Sequence, residues 1–210
     1  RVLRREGIAI EGHYRAVEPQ ERLEPIAGAP VLRYETTLED VLRHMNVHSD
    51  NMHAESLLKL LGAAGGRQGT FDSGARAVER YMRTAVGAGR DEVTVSDGSG
   101  LCRNNRVSAR AIAALLQHMT TTEHARPFIG SLPVFGVNGT VENRLDDSPA
   151  RGKIAAKTGY IRGVATLSGY ILARSGRVYV FSFLTNNIPG SVRPVKRAYD
   201  EACEAIYFDG

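Results

Sequence analysis

No stretch of the 210 residues approaches the roughly 18 consecutive apolar positions that a helical membrane span requires. Lysine and arginine form no block. The formal net charge of +4, from 27 basic and 23 acidic residues, is spread along the chain, with few aromatics beside the basic positions. That pattern gives a nucleic-acid partner no footing. Cysteine is scarce as well. Cys102 and Cys203 fit neither a CxxC redox pair nor a zinc-ligand spacing, and read first as small buried side chains, with a disulfide as the alternative. Repeats and low-complexity tracts are absent. No charged, apolar and small-residue leader opens the chain, and Arg1-Val2-Leu3-Arg4-Arg5 reads as the middle of a helix. The expectation is therefore of a sequence truncated at its N-terminus.

With 42% apolar residues the chain can bury one good core. Residues 1–30 hold a basic segment, the apolar Gly7-Ile8-Ala9-Ile10, and then Pro19, Pro25 and Pro30, a pattern of helix end, strand and extended linker. Helical spacing predicts a first helix over 37–45, with Leu38, Val41, Leu42 and Met45 on a buried face. A second follows over 52–61, stopped by Gly62, and a third over 73–86, ended by Gly87 and Gly89. A short strand at 92–95 runs into the turn Ser96-Asp97-Gly98-Ser99-Gly100, and Ser108 caps a fourth helix that buries Ile112, Leu115, Leu116 and Met119. Beyond it the period changes to two. Residues 153–157, 163–173 and 177–186 read as strands, the last two joined by Arg174-Ser175-Gly176 into an antiparallel hairpin. A closing helix over 192–208 carries Val195, Tyr199, Ala202 and Ile206. The order implies an α+β fold, an antiparallel sheet flanked by helices.

Three strings carry chemistry: Ser49-Asp50-Asn51, Asp97-Gly98-Ser99-Gly100-Leu101 and Lys157-Thr158-Gly159. A hydroxyl such as Ser49 on a loop can relay a proton to a leaving amine in serine-dependent acyl transfer. The Asn51 amide can both donate to and accept from a peptide backbone. Lys157, expected at a strand end, places a cation where an anionic terminus docks, and the Thr158 hydroxyl adds a charge-assisted hydrogen bond. Gly159 leaves the strand edge open to a peptide, and the backbone N–H of Tyr160 can point at a developing oxyanion. Asp97 to Gly100 reads as a structural turn near the site, because it lacks the lysine and following helix of a phosphate loop.

S-D-N and K-T-G in this order, joined by S-x-x-K, are the signature of penicillin-binding proteins and class A β-lactamases. The surroundings narrow the likeness: Met45-Asn46, Ala54-Glu55 and Leu57-Leu58-Lys59 around the first string, Arg103 and Asn105 after the second, and Leu132-Pro133-Val134, Gly136, Gly139-Thr140, Lys153, Ala156 and Gly163-Val164 around the third. The chain thus resembles, from about residue 7 onward, the class C low-molecular-mass penicillin-binding proteins, the D-alanyl-D-alanine carboxypeptidase/endopeptidase family. The resemblance implies a penicillin-binding/β-lactamase-like transpeptidase fold, present in part. Residues 1–30 would be the exit from an inserted domain and 31–210 the C-terminal part of the catalytic domain. It implies hydrolysis of D-alanyl-D-alanine stem peptides of peptidoglycan through an acyl-serine, with no cofactor and no metal. Ser49 would be the relay, Asn51 the substrate-amide contact, Lys157 and Thr158 the carboxylate pair, and Tyr160 the oxyanion donor. The nucleophile would lie upstream of Arg1. β-Lactam antibiotics would be inhibitors, and the place of action the periplasm or extracytoplasmic envelope. Two positions depart from the pattern: Tyr160 stands where relatives carry Ser or Thr, and Cys102 replaces a small polar residue.

Other readings stay open. Ser56-Leu57-Leu58-Lys59 matches S-x-x-K, but falls in the middle of a helix about 10 Å beyond Ser49 and reads as a polar pair. His44, His48 and His53 are spaced by four and five, which fits no H-E-x-x-H metal pattern. Without a nucleophile the same cleft would serve a non-catalytic peptidoglycan-peptide-binding module. A β-lactamase shares the motifs, but the surroundings of the first two strings favour the peptidase. Carboxypeptidase and endopeptidase work are not separated by these residues.

Overall fold

Side-chain caps and close backbone contacts set where the helices begin and cross. The computed structural model describes residues 5–7, 9, 34–64, 66 and 68–210. Residues 1–35 and 36–210 form two units. In the first, the described residues are a helix end at Arg5, a turn at Glu6 and Gly7, Ala9, and Tyr34 and Glu35. Most of the strand and linker expected over 1–30 lies outside the described residues.

The second unit opens with α1, Leu38–His48. Its N-cap Thr37 accepts the Asp40 N–H at 3.1 Å, and Glu39 and Asp40 complement the helix dipole. The helix runs three residues past the expected end, and Leu38 is 63% exposed instead of buried. Helix α2 spans Asn51–Ala63 and α3 spans Phe71–Thr84. Thr70 and Ser73 form a reciprocal capping box, so α3 starts two residues before the expected position. The two helices cross closely at Gly74, where a Cβ would sit 2.1 Å from the Leu58 carbonyl oxygen. Met52, Leu60 and Leu61 of α2 remain exposed.

Strands β1, Val93–Thr94, and β2, Arg106–Val107, pair antiparallel and hold the 96–105 loop by its ends. Helix α4, Ala109–Thr120, starts where Ser108 accepts the Ala111 N–H at 3.0 Å. Sequence periodicity missed α5, Ala125–Ser131, and the 3-10 turn Gly139–Val141. Both are shorter than the window in which a helical period can be counted.

The main sheet is β3, Ile154–Ile161, β4, Val164–Leu172, and β5, Val178–Thr185, in the order β3-β4-β5 with antiparallel neighbours. Alternation along β4 sends successive side chains to opposite faces. Ala165, Leu167 and Ile171 join Tyr199 and Cys203 of α6, Arg193–Asp209, in the largest core cluster. Tyr170 faces the other way onto Leu116 of α4, and its hydroxyl donates to the Leu116 carbonyl at 2.7 Å. The sheet thus lies between α6 and α4, and burial of each such side chain contributes about 1.5–3 kcal/mol. Cys203 is fully buried, and burial pushes its thiol up to about 12. Cys102 is only half-buried, and both cysteines are free thiols. No helix among the described residues is long and apolar enough to cross a membrane.

Candidate active site

Helix α1 ends on Ser49, which takes the left-handed conformation with φ 55 and ψ 48. A side chain there costs about 1–2 kcal/mol. It is offset locally, because Ser49 N–H caps the Met45 carbonyl and Asp50 N–H donates to the same oxygen at 3.0 Å. Asp50 then returns to extended backbone and caps α2, accepting the His53 N–H at 3.0 Å. That backbone N–H, followed by the His53 imidazole, holds the Asp50 carboxyl down at about 2. Two residues therefore reverse the chain between helices and leave Ser49 exposed on the outside of the elbow. Asn51 is the first residue of α2. Its side chain is exposed and makes no hydrogen bond among the described residues.

The facing wall is β3. Lys157 Nζ donates to Ser49 Oγ at 2.9 Å across 108 residues of sequence, and to the Thr158 carbonyl at 2.9 Å. Burial alone pushes the Lys157 ammonium below its usual range. The lysine is not at a strand end, as expected, but in the middle of a strand that continues to Ile161. The run past Gly159 was hidden because glycine reads as a strand breaker.

Gly159 is required by its partner. A Cβ there would lie 2.4 Å from Thr166 Oγ1 on β4. The edge of β3 is open near the site. Ala156 N–H points away from β4, to the Pro133 carbonyl at 2.9 Å, and the Ile154 carbonyl accepts from Phe135 on the same side. The regular register and antiparallel alternation carry this direction to residues 158 and 160. The Tyr160 N–H therefore faces the open edge. Its ring is 61% exposed, with Lys196 Nζ of α6 5.5 Å from the ring centroid.

The walls are braced from behind. Asn46 Nδ2 donates to the buried Ser131 Oγ at 2.8 Å, tying α1 to α5. At Gly139 a Cβ would meet the Val47 carbonyl at 2.6 Å, so the 3-10 turn lies directly against α1. Thr140 Oγ1 and Thr158 Oγ1 are hydrogen-bonded at 2.8 Å, tying that turn to β3. In the sequence Thr140 carries only the family resemblance; its position against the site strand comes from the fold. The Asp97 turn is docked on α2: Glu55 accepts the Gly98 and Ser99 N–H groups at 2.7 and 3.3 Å. Burial raises the Asp97 carboxyl, but hydrogen bonds from Asn105, Cys102 and Gly100 outweigh it and hold the group below its ordinary value.

Ser56 lies exposed in the middle of α2, and the Lys59 ammonium sits 4.3 Å from the Phe71 ring centroid, engaged away from any serine. A cavity of about 670 Å³ lined by Arg103, Arg162, Gly163, Ile188 and Gly190 lies beyond the β3–β4 turn. It includes neither Ser49 nor Lys157.

The fold is similar to that of penicillin binding protein 4 from Haemophilus influenzae in complex with a β-lactam. The likeness has a TM-score of 0.73 and 26% identity, covering 80% of this chain and 41% of that one. Residues 1–205 match the D-Ala-D-Ala carboxypeptidase 3 (S13) family, and the chain belongs to that family. It is 36% identical over 158 residues to the D-alanyl-D-alanine carboxypeptidase of Actinomadura sp. (strain R39), a match covering 73% of this chain and 29% of that protein. With the carboxypeptidase DacB of Mycolicibacterium smegmatis it shares 35% over 152 residues, 70% of this chain and 33% of that one. The chain thus spans about a third of the length of these curated relatives.

Proposed function

We propose that the whole protein is a serine-type D-alanyl-D-alanine carboxypeptidase that hydrolyses peptidoglycan stem peptides through an acyl-serine intermediate. The observation that carries this reading is the 2.9 Å contact between Lys157 Nζ and Ser49 Oγ, which joins the two motifs into one cleft. Family membership and the names of the relatives support it. The 210 residues hold no S-x-x-K except the mid-helix Ser56 to Lys59, so the nucleophilic serine is assigned to a segment outside them. Residues 1–30 are then the exit from an inserted domain and 31–210 the C-terminal part of the catalytic domain.

In this mechanism the serine attacks the carbonyl between the two D-alanines, and the departing D-alanine amine takes a proton through Ser49 Oγ. Lys157 stands within hydrogen-bond distance of that oxygen and favours its proton-poor form. The Asn51 amide aligns the peptide backbone. Lys157 and the Thr158 hydroxyl bind the terminal carboxylate, the hydroxyl turning from Thr140 to the substrate. The Tyr160 N–H, on the open edge of β3, donates to the tetrahedral oxyanion. Gly159 keeps this strand seated on β4, since a Cβ there would meet Thr166 Oγ1 at 2.4 Å, so that residues 158 and 160 can present the open edge to the substrate. Water then cleaves the acyl-serine. β-Lactams would acylate the same serine and inhibit, and a peptidoglycan substrate places the work in the periplasm or extracytoplasmic envelope.

The experiment is release of D-alanine from a stem pentapeptide by the full-length protein, together with labelling by a fluorescent penicillin. Full-length protein is expected to release D-alanine and carry one label, and the 210-residue chain to carry none. Absence of both activities in the full-length protein would move it to a peptide-binding module. A stoichiometric adduct on Ser56 would identify a different nucleophile.

A further inference from the structure

The elbow that presents Ser49 also carries a cluster that the spacing of its histidines concealed. His44 on α1 and His53 on α2 converge on Asp50. Asp50 Oδ2 lies 3.4 Å from His44 Nε2 and 3.2 Å from His53 Nδ1, and the three ligand atoms all fall within 4.8 Å of one another. We propose that His44 Nε2, Asp50 Oδ2 and His53 Nδ1 form a binding site for a divalent transition-metal ion of the Zn²⁺ class, with the remaining coordination position open to water.

The two separations from Asp50 Oδ2, 3.4 and 3.2 Å, lie within or about 0.1 Å short of those at a metal site. With metal–ligand bonds of 2.0–2.2 Å, neighbouring ligands at a tetrahedral ion stand about 3.3–3.6 Å apart. Two imidazoles and one carboxylate, with an open position, are a donor set that zinc accepts. The second observation is an orphaned atom. The His53 side chain is 41% exposed, but its Nδ1 is shielded from solvent, and Asp50 Oδ2 at 3.2 Å is not in hydrogen-bond geometry with it, an unfavourable state for a polar nitrogen. A cation between it and Asp50 Oδ2 would satisfy both lone pairs.

Asp50 can hold this position because its other oxygen is fixed by the His53 N–H. Such support orients a ligand as a neighbouring carboxylate orients a metal-binding histidine. The third imidazole is spent elsewhere: His48 stacks on His44 with ring centroids 4.4 Å apart, and its Nδ1 bonds the His44 carbonyl at 3.1 Å. His44 comes from one helix, and Asp50 and His53 from the cap and first turn of the next. A bound ion would therefore clamp the left-handed turn at Ser49.

The site is independent of the reading of the Ser49–Lys157 cleft, and its readout is binding, not turnover. Metal-stripped full-length protein is titrated with Zn²⁺ by calorimetry at neutral pH, and with Co²⁺ by visible absorption. One saturable equivalent is expected, with the intense visible bands of four-coordinate Co²⁺. His44→Gln and His53→Gln should each weaken binding at least about 10-fold, the lower figure for losing even a group that only orients a ligand. His48→Gln should bind as the unaltered protein does. If His53→Gln does not fold, His44→Gln on the half-exposed end of α1 decides. Lack of saturable binding would overturn the proposal and leave the two imidazoles as neighbours of Asp50 alone. Undiminished affinity in the His44→Gln variant, or an equal loss in His48→Gln, would overturn the ligand set.

Discussion

Lys157 stands on a strand joined to its neighbour by eight cross-strand pairs from Ile154↔Ile171 to Ile161↔Val164, over a core that buries Ala156, Leu167 and Ile171. Ser49 stands on a two-residue elbow held by one left-handed residue, one carboxylate cap and main-chain bonds, on a helix with no buried residue. The two groups meet at 2.9 Å, yet one wall is placed by apolar burial and the other by polar capping. Damage should therefore reach the site differently from the two sides. On the sheet side global stability is lost with the packing, whereas on the elbow side position and activity change first.

The largest effect is expected from breaking the sheet wall. Leu167→Ala removes a fully buried side chain of the central strand and should cost about 2–5 kcal/mol in denaturant unfolding. A loss below about 1 kcal/mol would show that the β4 packing does not hold the lysine wall. Lys157→Ala comes next. It should leave folding intact but lower kcat/KM on a D-alanyl-D-alanine peptide by about 30- to 1000-fold, equivalent to about 2–4 kcal/mol of transition-state binding. Thr158→Ala should cost less, since its hydroxyl adds one neutral donor to the same contact. Unchanged kcat/KM in Lys157→Ala would take the lysine out of the mechanism.

On the elbow side, Gly98→Ala would place a Cβ 2.3 Å from the Ala54 carbonyl oxygen and push the Asp97 turn off α2. The displaced turn should lower kcat/KM for D-alanine release more than the overpacking cost of about 1–3 kcal/mol lowers stability; a shifted unfolding midpoint with unchanged kcat/KM would contradict the contrast between the two walls. The smallest effect sharpens the contrast by pH. The Lys157 ammonium lies below its ordinary value of 10.5 because it is buried. Between that lowered value and 10.5 the unfolded chain keeps a proton that the folded chain has lost, so this residue's contribution to stability rises with pH through that window. Activity should fall through the same window, as the ammonium is lost from the pair proposed to bind the carboxylate. An alkaline limb of kcat/KM that begins only above 10.5 would contradict the burial of this group.

Much of the fold was legible because caps and periods are local. Ser108 marked α4, the shift to period two marked β4 and β5, and Ser49 and Lys157 were recognised from motif strings long before they were neighbours in space. What stayed hidden depends on contacts far apart in sequence. The strand through Lys157 was cut short at 157, because the Thr166 hydroxyl that makes Gly159 necessary belongs to the next strand. Leu38 has the period of a buried face but remains exposed among the described residues, so period alone does not determine burial. The convergence of His44, Asp50 and His53 was invisible to a spacing rule for one continuous helix, because the left-handed turn at Ser49 separates the two histidines onto different helices.

The most direct test of the central claim, that Ser49 and Lys157 act as one unit, is a double-mutant cycle on kcat/KM for D-alanine release by the full-length protein. Ser49→Ala, Lys157→Ala and the double variant are compared with the unaltered enzyme, with unfolding followed in parallel. If the two groups share the 2.9 Å contact in function as in structure, the losses should be non-additive by about 0.5–3 kcal/mol, with the double variant little worse than the poorer single variant. Strict additivity, two independent losses multiplying in rate, would contradict a shared site.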